Sequence, residues 1–152
     1  MLTYRLSYGY ARTADLRRDG SVRFTVHVEL SDPTVILPQW SWPKETPDQA
    51  RDVARFRDNV MVHERGHWQI ARDYVAHRDR SEWLPQTTTR AQAAVHFKKY
   101  FDTIVAGLDN AQAFYDNVTQ HGRTQHRAPL YGFLDGDDTY LTCDFATPRF
   151  WF

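Results

Sequence analysis

Polar and apolar side chains alternate in two segments near the start of the chain. Apolar residues occupy every second position from Tyr4 to Tyr10 and again from Val22 to Leu30. A period of two is typical of a strand with one buried face, and Asp19-Gly20 between the segments favours a turn. Residues 34–37 predict a further short strand, which precedes a turn-rich stretch.

Two longer segments repeat their apolar residues every three or four positions, as amphipathic helices do. The first follows a capping box at Thr46–Gln49 and fades between His77 and Glu82. Its predicted inward face comprises Val53, Phe56, Val60, His63, His67, Ile70 and Tyr74.

The second helix follows another capping box, Thr89–Gln92, and Gly122 is its predicted stop. Its predicted apolar stripe comprises Ala94, Phe97, Phe101, Ile104, Leu108, Ala111, Tyr115 and Val118. Strands followed by two long helices indicate an α+β fold.

The length of the chain, 152 residues, predicts a single domain over residues 1–152. We divide it into strands and turns (1–45), a first helix (46–82), a second helix (88–122) and a tail (123–152). In the tail, the pattern over Thr139–Phe145 is compatible with a strand.

Charge and composition exclude several classes of protein. The 19 basic and 19 acidic residues balance, which argues against a nucleic-acid binder or a ligand of anionic membranes. No apolar run approaches the roughly 20 residues of a membrane span, and residues 1–8 lack the apolar core of an export signal. The single cysteine, Cys143, excludes an intrachain disulfide and a cysteine-rich zinc module.

The first predicted helix contains His63-Glu64-Arg65-Gly66-His67, which matches the pattern H-E-x-x-H. Two histidines four positions apart project from one helix face, so both His63 and His67 can reach one zinc ion. Glu64 lies about 100° around the helix, where it can reach the water on the metal without being a ligand. The alternative is a pair of core histidines with hydrogen-bond partners and a solvated glutamate.

A catalytic zinc needs a third protein ligand, and the sequence offers several candidates. His121 is favoured, because it follows the inward face of the second helix near the helix end. Asp73 is disfavoured: Ile70 stands where related sites need a glycine, and an unbroken helix turns Asp73 about 240° from His67. Weaker candidates are Asp116, His126 and His96, whereas His27 and His77 are expected at the surface.

Three ordered blocks resemble a bacterial family of predicted secreted zinc-dependent proteases, long classified as a domain of unknown function. The first block is Leu37-Pro38-Gln39-Trp40, and the second is the histidine motif with Ile70. The third is Gln112-Ala113-Phe114-Tyr115-Asp116 with Thr119-Gln120-His121-Gly122 and Thr124-Gln125. The resemblance covers about two thirds of the chain, from Val22 to Gln125.

This resemblance implies a small zincin-type domain whose third ligand lies in the last block, and it favours His121. Two departures bear on that expectation. Family members usually carry an acidic residue where this chain has Val118, and the export signal typical of the family is missing from residues 1–8.

The expected function is therefore hydrolysis of peptide bonds in a peptide or protein substrate with Zn²⁺ as cofactor. Glu64 would be the general base, and Tyr115 would stabilise the oxyanion or, equally, pack in the core. By analogy with zincins, Val22–Leu30 would be the edge strand that receives the substrate. The competing expectation is a zinc-binding domain without turnover, in which the metal is structural or supports a binding surface.

Overall fold

A computed structural model of the protein describes residues 1–37, 39–41, 46–125 and 149–151, the last three and residues 40–41 as backbone. Strands come first, and two long helices account for most of the remainder. In chain order the elements are β1 (Leu2–Thr3), β2 (Leu6–Leu16), β3 (Ser21–Leu30), β4 (Thr34–Val35), β5 (Gln39–Ser41), α1 (Pro47–Val75), β6 (Arg80–Pro85), α2 (Arg90–Thr119) and β7 (Arg149–Trp151). The predicted α+β class is confirmed.

The described residues form two compact units, and each helix contributes to both. One unit takes its residues from Met1–Thr3, Pro33–Gln69 and Gln112–Phe152, and we call it the histidine unit. The other contains Tyr4–Asp32 and Ile70–Ala111, and we call it the sheet unit. The single domain over residues 1–152 stays a prediction.

The sheet unit is built on the antiparallel sheet β2-β3-β6, with β3 in the middle. Alternate residues of β3 are buried, as the period of two predicts. They form one hydrophobic cluster with Ala93, Phe97 and Ile104 of α2. The buried β3 residues are Val22, Phe24, Val26 and Val28.

The central position of β3 corrects one expectation. From Val22 to Val26 it pairs with β6 on one side, and all of these residues except Arg23 pair with β2 on the other. Backbone groups that are already paired on both sides cannot receive a peptide by strand addition. The nomination of Val22–Leu30 as the substrate-binding edge is therefore wrong over these residues.

Strand β6 was not predicted, because its first half is polar and the pattern indicated a fading helix. Helix α1 ends at Val75, before the predicted boundary at residue 82. Asp79, just ahead of β6, accepts a hydrogen bond from the Val28 N–H (2.8 Å). This carboxylate therefore continues the β3 ladder beyond the Val26–Arg80 pair at which β6 begins. Pairing with a distant strand decided the structure here, and local periodicity could not reveal it.

The histidine unit contains two short strand pairs. Strand β1 pairs with β4 at Leu2–Val35, and the backbone of β5 pairs with that of β7. The predicted short strand at 34–37 is confirmed over Thr34–Val35. The predicted tail strand at Thr139–Phe145 lies outside the described residues, and so does His126.

The buried face of α1 differs from the predicted stripe in its first half. Asp52 and Asn59 are buried, whereas Val53 and Val60 are only half-buried. These polar side chains have partners: Asp52 binds Arg55 at 2.7 Å, so their burial is tolerated. Along the parts of the chain that the structure describes, neither helix combines the length and hydropathy that a bilayer crossing requires.

Candidate metal centre

Helix α1 presents His63 and His67 one turn apart on the same side. Their ring planes lie 85° apart, with centroids separated by 4.7 Å. In this arrangement the two Nε2 atoms approach to 3.1 Å. His63 is buried and His67 is partly buried, so both nitrogens lie in a partly dry environment. The helical spacing of the motif is thus realised as two converging donor atoms.

Helix α2 adds a third donor atom to this pair. The Oδ1 atom of Asp116 lies 3.2 Å from Nε2 of His63 and 3.0 Å from Nε2 of His67. Among the described residues, these three side chains form the group of potential metal ligands whose donor atoms all lie within 4.8 Å of one another. The three atoms form a nearly equilateral triangle.

The size of this triangle suits a small divalent cation. Ligands about 2.0–2.1 Å from a tetrahedral zinc lie about 3.3 Å from each other. The three observed separations are close to that value, and two imidazoles with a carboxylate are a donor set that zinc accepts. The three residues present could therefore hold a small divalent metal ion.

The far nitrogens of the two rings have different surroundings. Nδ1 of His67 lies 2.5 Å from Oε1 of Gln112, and the amide nitrogen of Gln112 donates to the His67 carbonyl oxygen at 2.9 Å. Nδ1 of His63 is buried and has no hydrogen-bond partner within the part of the chain that the structure describes. The two rings are therefore held in different ways.

Burial is the main reason that the pKa of His63 lies below its ordinary value, and the neighbouring His67 lowers it further. The carboxylates of Asp116 and Glu64 act in the opposite direction. A neutral imidazole is the form that binds a metal. The environment of His63 favours that form.

Tyr115 packs between the two histidines and a glycine of the same motif. Its fully buried ring stacks on His63 (4.9 Å between centroids) and meets His67 edge-on (4.8 Å). Its hydroxyl donates to the His63 carbonyl oxygen at 3.3 Å. A Cβ atom at Gly66 would lie 2.6 Å from Cζ of this ring. The absence of a side chain at Gly66 thus permits the close approach of Tyr115.

Glu64 is engaged by the first strand of the chain. Its Oε2 accepts a hydrogen bond from the Leu2 N–H at 2.8 Å, and its Oε1 lies 3.1 Å from the Met1 nitrogen. Only 13% of its side chain is exposed. Strand β1, held in turn by β4, therefore positions the carboxylate that the motif singles out as a base.

His121 lies on the turn that follows α2. Gln120 and His121 both adopt left-handed backbone angles (φ 49° and 56°), which is uncommon for residues other than glycine. The imidazole is 82% exposed, and its Nδ1 lies 3.4 Å from Oδ1 of Asp116. The structure therefore places Asp116 against the Nε2 atoms of both His63 and His67, and it places His121 against Asp116.

The other sequence candidates have different surroundings. Asp73 is exposed, with its carboxylate 3.7 Å from Arg72. His96 lies 2.5 Å from Glu82, and His27 lies 2.8 Å from Asp79, so each of these exposed imidazoles contacts a carboxylate outside the donor triangle. His77 is exposed as predicted.

Sequence reasoning gave no individual role to Gln112 and ranked Asp116 below His121. A signal for both was present, because Gln112 and Asp116 are four positions apart on α2, the same spacing as His63 and His67. Polar residues at i and i+4 beside the buried Tyr115 indicate a polar strip on the inward helix face.

Residues 1–122 match a family described as bacterial proteins of unknown function (DUF922). The chain belongs to this family. The DUF922 match includes the three donor residues, Glu64 and His121, and it begins earlier than the resemblance noted from Val22. Comparison of the DUF922 chain with curated proteins and with solved structures produced no match.

Proposed function

We propose that this DUF922 protein is a zinc-dependent peptidase. The observation that carries the proposal is the convergence of Nε2 of His63, Nε2 of His67 and Oδ1 of Asp116 into one triangle of donor atoms. Three protein ligands leave a fourth position for water or substrate, which is the arrangement of catalytic zinc sites. The resemblance to predicted zinc-dependent proteases supports the same function.

In this proposal Asp116 replaces His121 as the third ligand. Asp116 lies within 3.2 Å of both histidine nitrogens, whereas His121 is exposed and lies nearer to Asp116. The acidic residue that family members usually carry in place of Val118 is not required for this ligand set. His121 would then approach the site from the solvent side.

When bound, zinc lowers the pKa of its water to near 7 and polarises the substrate carbonyl. Glu64 would accept a proton from the attacking water and return it to the departing amine. The Glu64 side chain is only 13% exposed, and the hydrogen bond from the Leu2 N–H fixes the orientation of its carboxylate. Glu64 has no need to bind the metal.

Tyr115 has a supporting role in this proposal. Its hydroxyl donates to the His63 carbonyl oxygen, and its ring is fully buried between the histidines. A hydroxyl that is engaged in this way is poorly placed to stabilise an oxyanion. We therefore assign Tyr115 to holding the two imidazoles.

Zinc content and turnover, measured together, test the proposal. The wild type should contain one zinc per chain by elemental analysis, and His63→Ala and Asp116→Ala should lose it. Glu64→Gln should keep the zinc and lose hydrolysis of a peptide library, because only the base is removed. A wild type that takes up no zinc on titration, or Glu64→Gln as active as the wild type, would refute the peptidase.

One observation favours a second function, a structural zinc site. Nδ1 of His121 lies 3.4 Å from Oδ1 of Asp116, close enough for a small movement to add a fourth protein ligand. Four protein ligands close the coordination sphere, as structural sites do. In that case His121→Ala should weaken zinc binding, and wild type and Glu64→Gln should be equally inactive. In the peptidase, His121→Ala should keep its zinc.

A further inference from the structure

Gln112 makes two hydrogen bonds to the same residue. Its Nε2 donates to the carbonyl oxygen of His67 at 2.9 Å, and its Oε1 lies 2.5 Å from Nδ1 of the His67 ring. The first contact determines the orientation of the amide, because a carbonyl oxygen can only accept. The second contact must then place an acceptor, Oε1, against Nδ1.

An acceptor against Nδ1 favours the proton of a neutral His67 on that nitrogen. The Asp116 carboxylate, 3.0 Å from Nε2, is a second acceptor, but Nε2 of His63 lies 3.2 Å from it and can donate to it, because Nδ1 of His63, which has no partner among the described residues, leaves the proton of that ring to Nε2. The shorter contact, at Nδ1, then takes the proton of His67, and Nε2 has its lone pair available. That lone pair faces Nε2 of His63 and Oδ1 of Asp116 in the donor triangle. We propose that Gln112 is a positioning residue that holds His67 in the Nδ1–H tautomer, ready to bind the metal through Nε2.

The effect of Gln112 on metal affinity rests on the proposed metal site, whereas its effect on the proton of His67 can be measured in the metal-free protein. His63 provides an internal contrast, since its buried Nδ1 lacks a partner among the described residues. Among the described residues, the His67 ring also has polar contacts to His63 and Asp116 and meets the edge of Tyr115. Both polar contacts are at Nε2, so among these residues Gln112 is the acceptor at Nδ1.

The position of Gln112 on α2 explains how this helix can both contribute a donor atom and orient a histidine. Gln112 precedes Asp116 by four residues, so both side chains project from the same face. Asp116 contributes a donor atom, and Gln112 orients the imidazole beside it. Partners of this kind commonly change metal affinity about 10- to 100-fold when they are removed.

The first test is the tautomer of His67 in metal-free protein, measured by long-range ¹H–¹⁵N NMR at a pH at which the imidazole is neutral. The wild type should show the Nδ1–H pattern for His67, and Gln112→Ala should show a mixture or the Nε2–H pattern. Gln112→Glu keeps an acceptor against Nδ1 and should restore the Nδ1–H form. Asn110→Ala, an exposed amide on the same helix, is the matched control.

The second test is zinc affinity, measured by competition with a chelator. Gln112→Ala should bind zinc roughly 10- to 100-fold more weakly than the wild type, with Gln112→Glu between them and Asn110→Ala unchanged. An Nε2–H pattern in the wild type would overturn the inference. So would an unaltered tautomer in Gln112→Ala, or unaltered affinity in a folded Gln112→Ala variant that binds zinc.

The two proposals fail separately. If the wild type shows the Nδ1–H tautomer that depends on Gln112 but binds no zinc, the metallopeptidase is refuted and the tautomer assignment stands. If the wild type binds zinc but the tautomer does not depend on Gln112, the positioning role is refuted and the metal site stands.

Discussion

Gly66 should not tolerate even a methyl group, although it lies inside a helix where alanine is normally preferred. In Gly66→Ala the new Cβ would meet the Tyr115 hydroxyl and would lie 2.6 Å from Cζ and 3.1 Å from Cε1 of the ring. Carbon atoms pack best at about 3.5–4.0 Å, so the ring must retreat by about 1 Å. Tyr115 is fully buried and stacked on His63, which limits that retreat.

Two opposing effects determine how much stability Gly66→Ala loses. Overpacking a buried site destabilises a protein by about 1–3 kcal/mol, and replacing a helical glycine by alanine contributes up to about 1 kcal/mol in the other direction. We expect Gly66→Ala to lose about 1–2 kcal/mol of unfolding free energy. For a chain of this length, that loss lowers Tm by about 2–8 °C. Zinc affinity should fall as well, because the ring that moves contacts both histidines.

Thermal and urea unfolding, with zinc titration, measure these effects. Gly9→Ala is the control, since a Cβ there has nothing within 4 Å, and its stability should be unchanged or slightly higher. Combining Gly66→Ala with Tyr115→Phe removes the hydroxyl that the new methyl group meets, and the double variant should recover part of the loss. If Gly66→Ala is as stable as the wild type and binds zinc equally well, the packing argument is incorrect.

Three further predictions concern the caps, the sheet and the metal. Thr89 Oγ1 accepts the Gln92 N–H at 3.2 Å, so Thr89→Ala should lose about 1 kcal/mol in urea unfolding; no loss would contradict the cap. Hydrogen bonds from the Val28 N–H and His27 hold the pKa of Asp79 below its ordinary value, so its stabilising effect is present above about pH 4 and lost as the pH falls through the folded pKa. Acidification should therefore destabilise the wild type more than Asp79→Asn, and equal losses in urea unfolding across this pH range would contradict the role of Asp79. Finally, removal of zinc by a chelator should lower Tm, and zinc at about 100 times its Kd should restore about 2.7 kcal/mol of unfolding free energy. A Tm that does not depend on zinc would argue against a zinc site in the folded state.

Local features of the sequence predicted the elements well. The alternation in β3 is realised as buried residues at every second position, and both capping boxes form. Helix α1 contains the complete His63–His67 motif. These features depend on neighbours within a few residues, which is why periodicity and capping chemistry identify them.

Contacts between distant residues were beyond that reasoning. Strand β6 exists because β3 is available to pair with it, and Asp79 meets Val28 across a separation of 51 residues. Glu64 and Leu2 are separated by 62 residues, and nothing in either segment indicates their contact. Such pairings are decided by packing of the whole unit and not by local propensity.

The order of the candidates for a third donor depends on a packing distance that the sequence does not give. Tyr115 was assigned correctly to the inward face of α2, but its contact with Gly66 could not be read from the sequence. That contact brings the backbone of α2 close to the motif, and Asp116 is the residue next to Tyr115. The short side chain of Asp116 reaches both Nε2 atoms only because the two helices approach so closely here. A chain with the same two histidines and a bulky residue at position 66 could not place Tyr115 and Asp116 in this way, and a metal site like the one proposed would have to take its third donor from another residue.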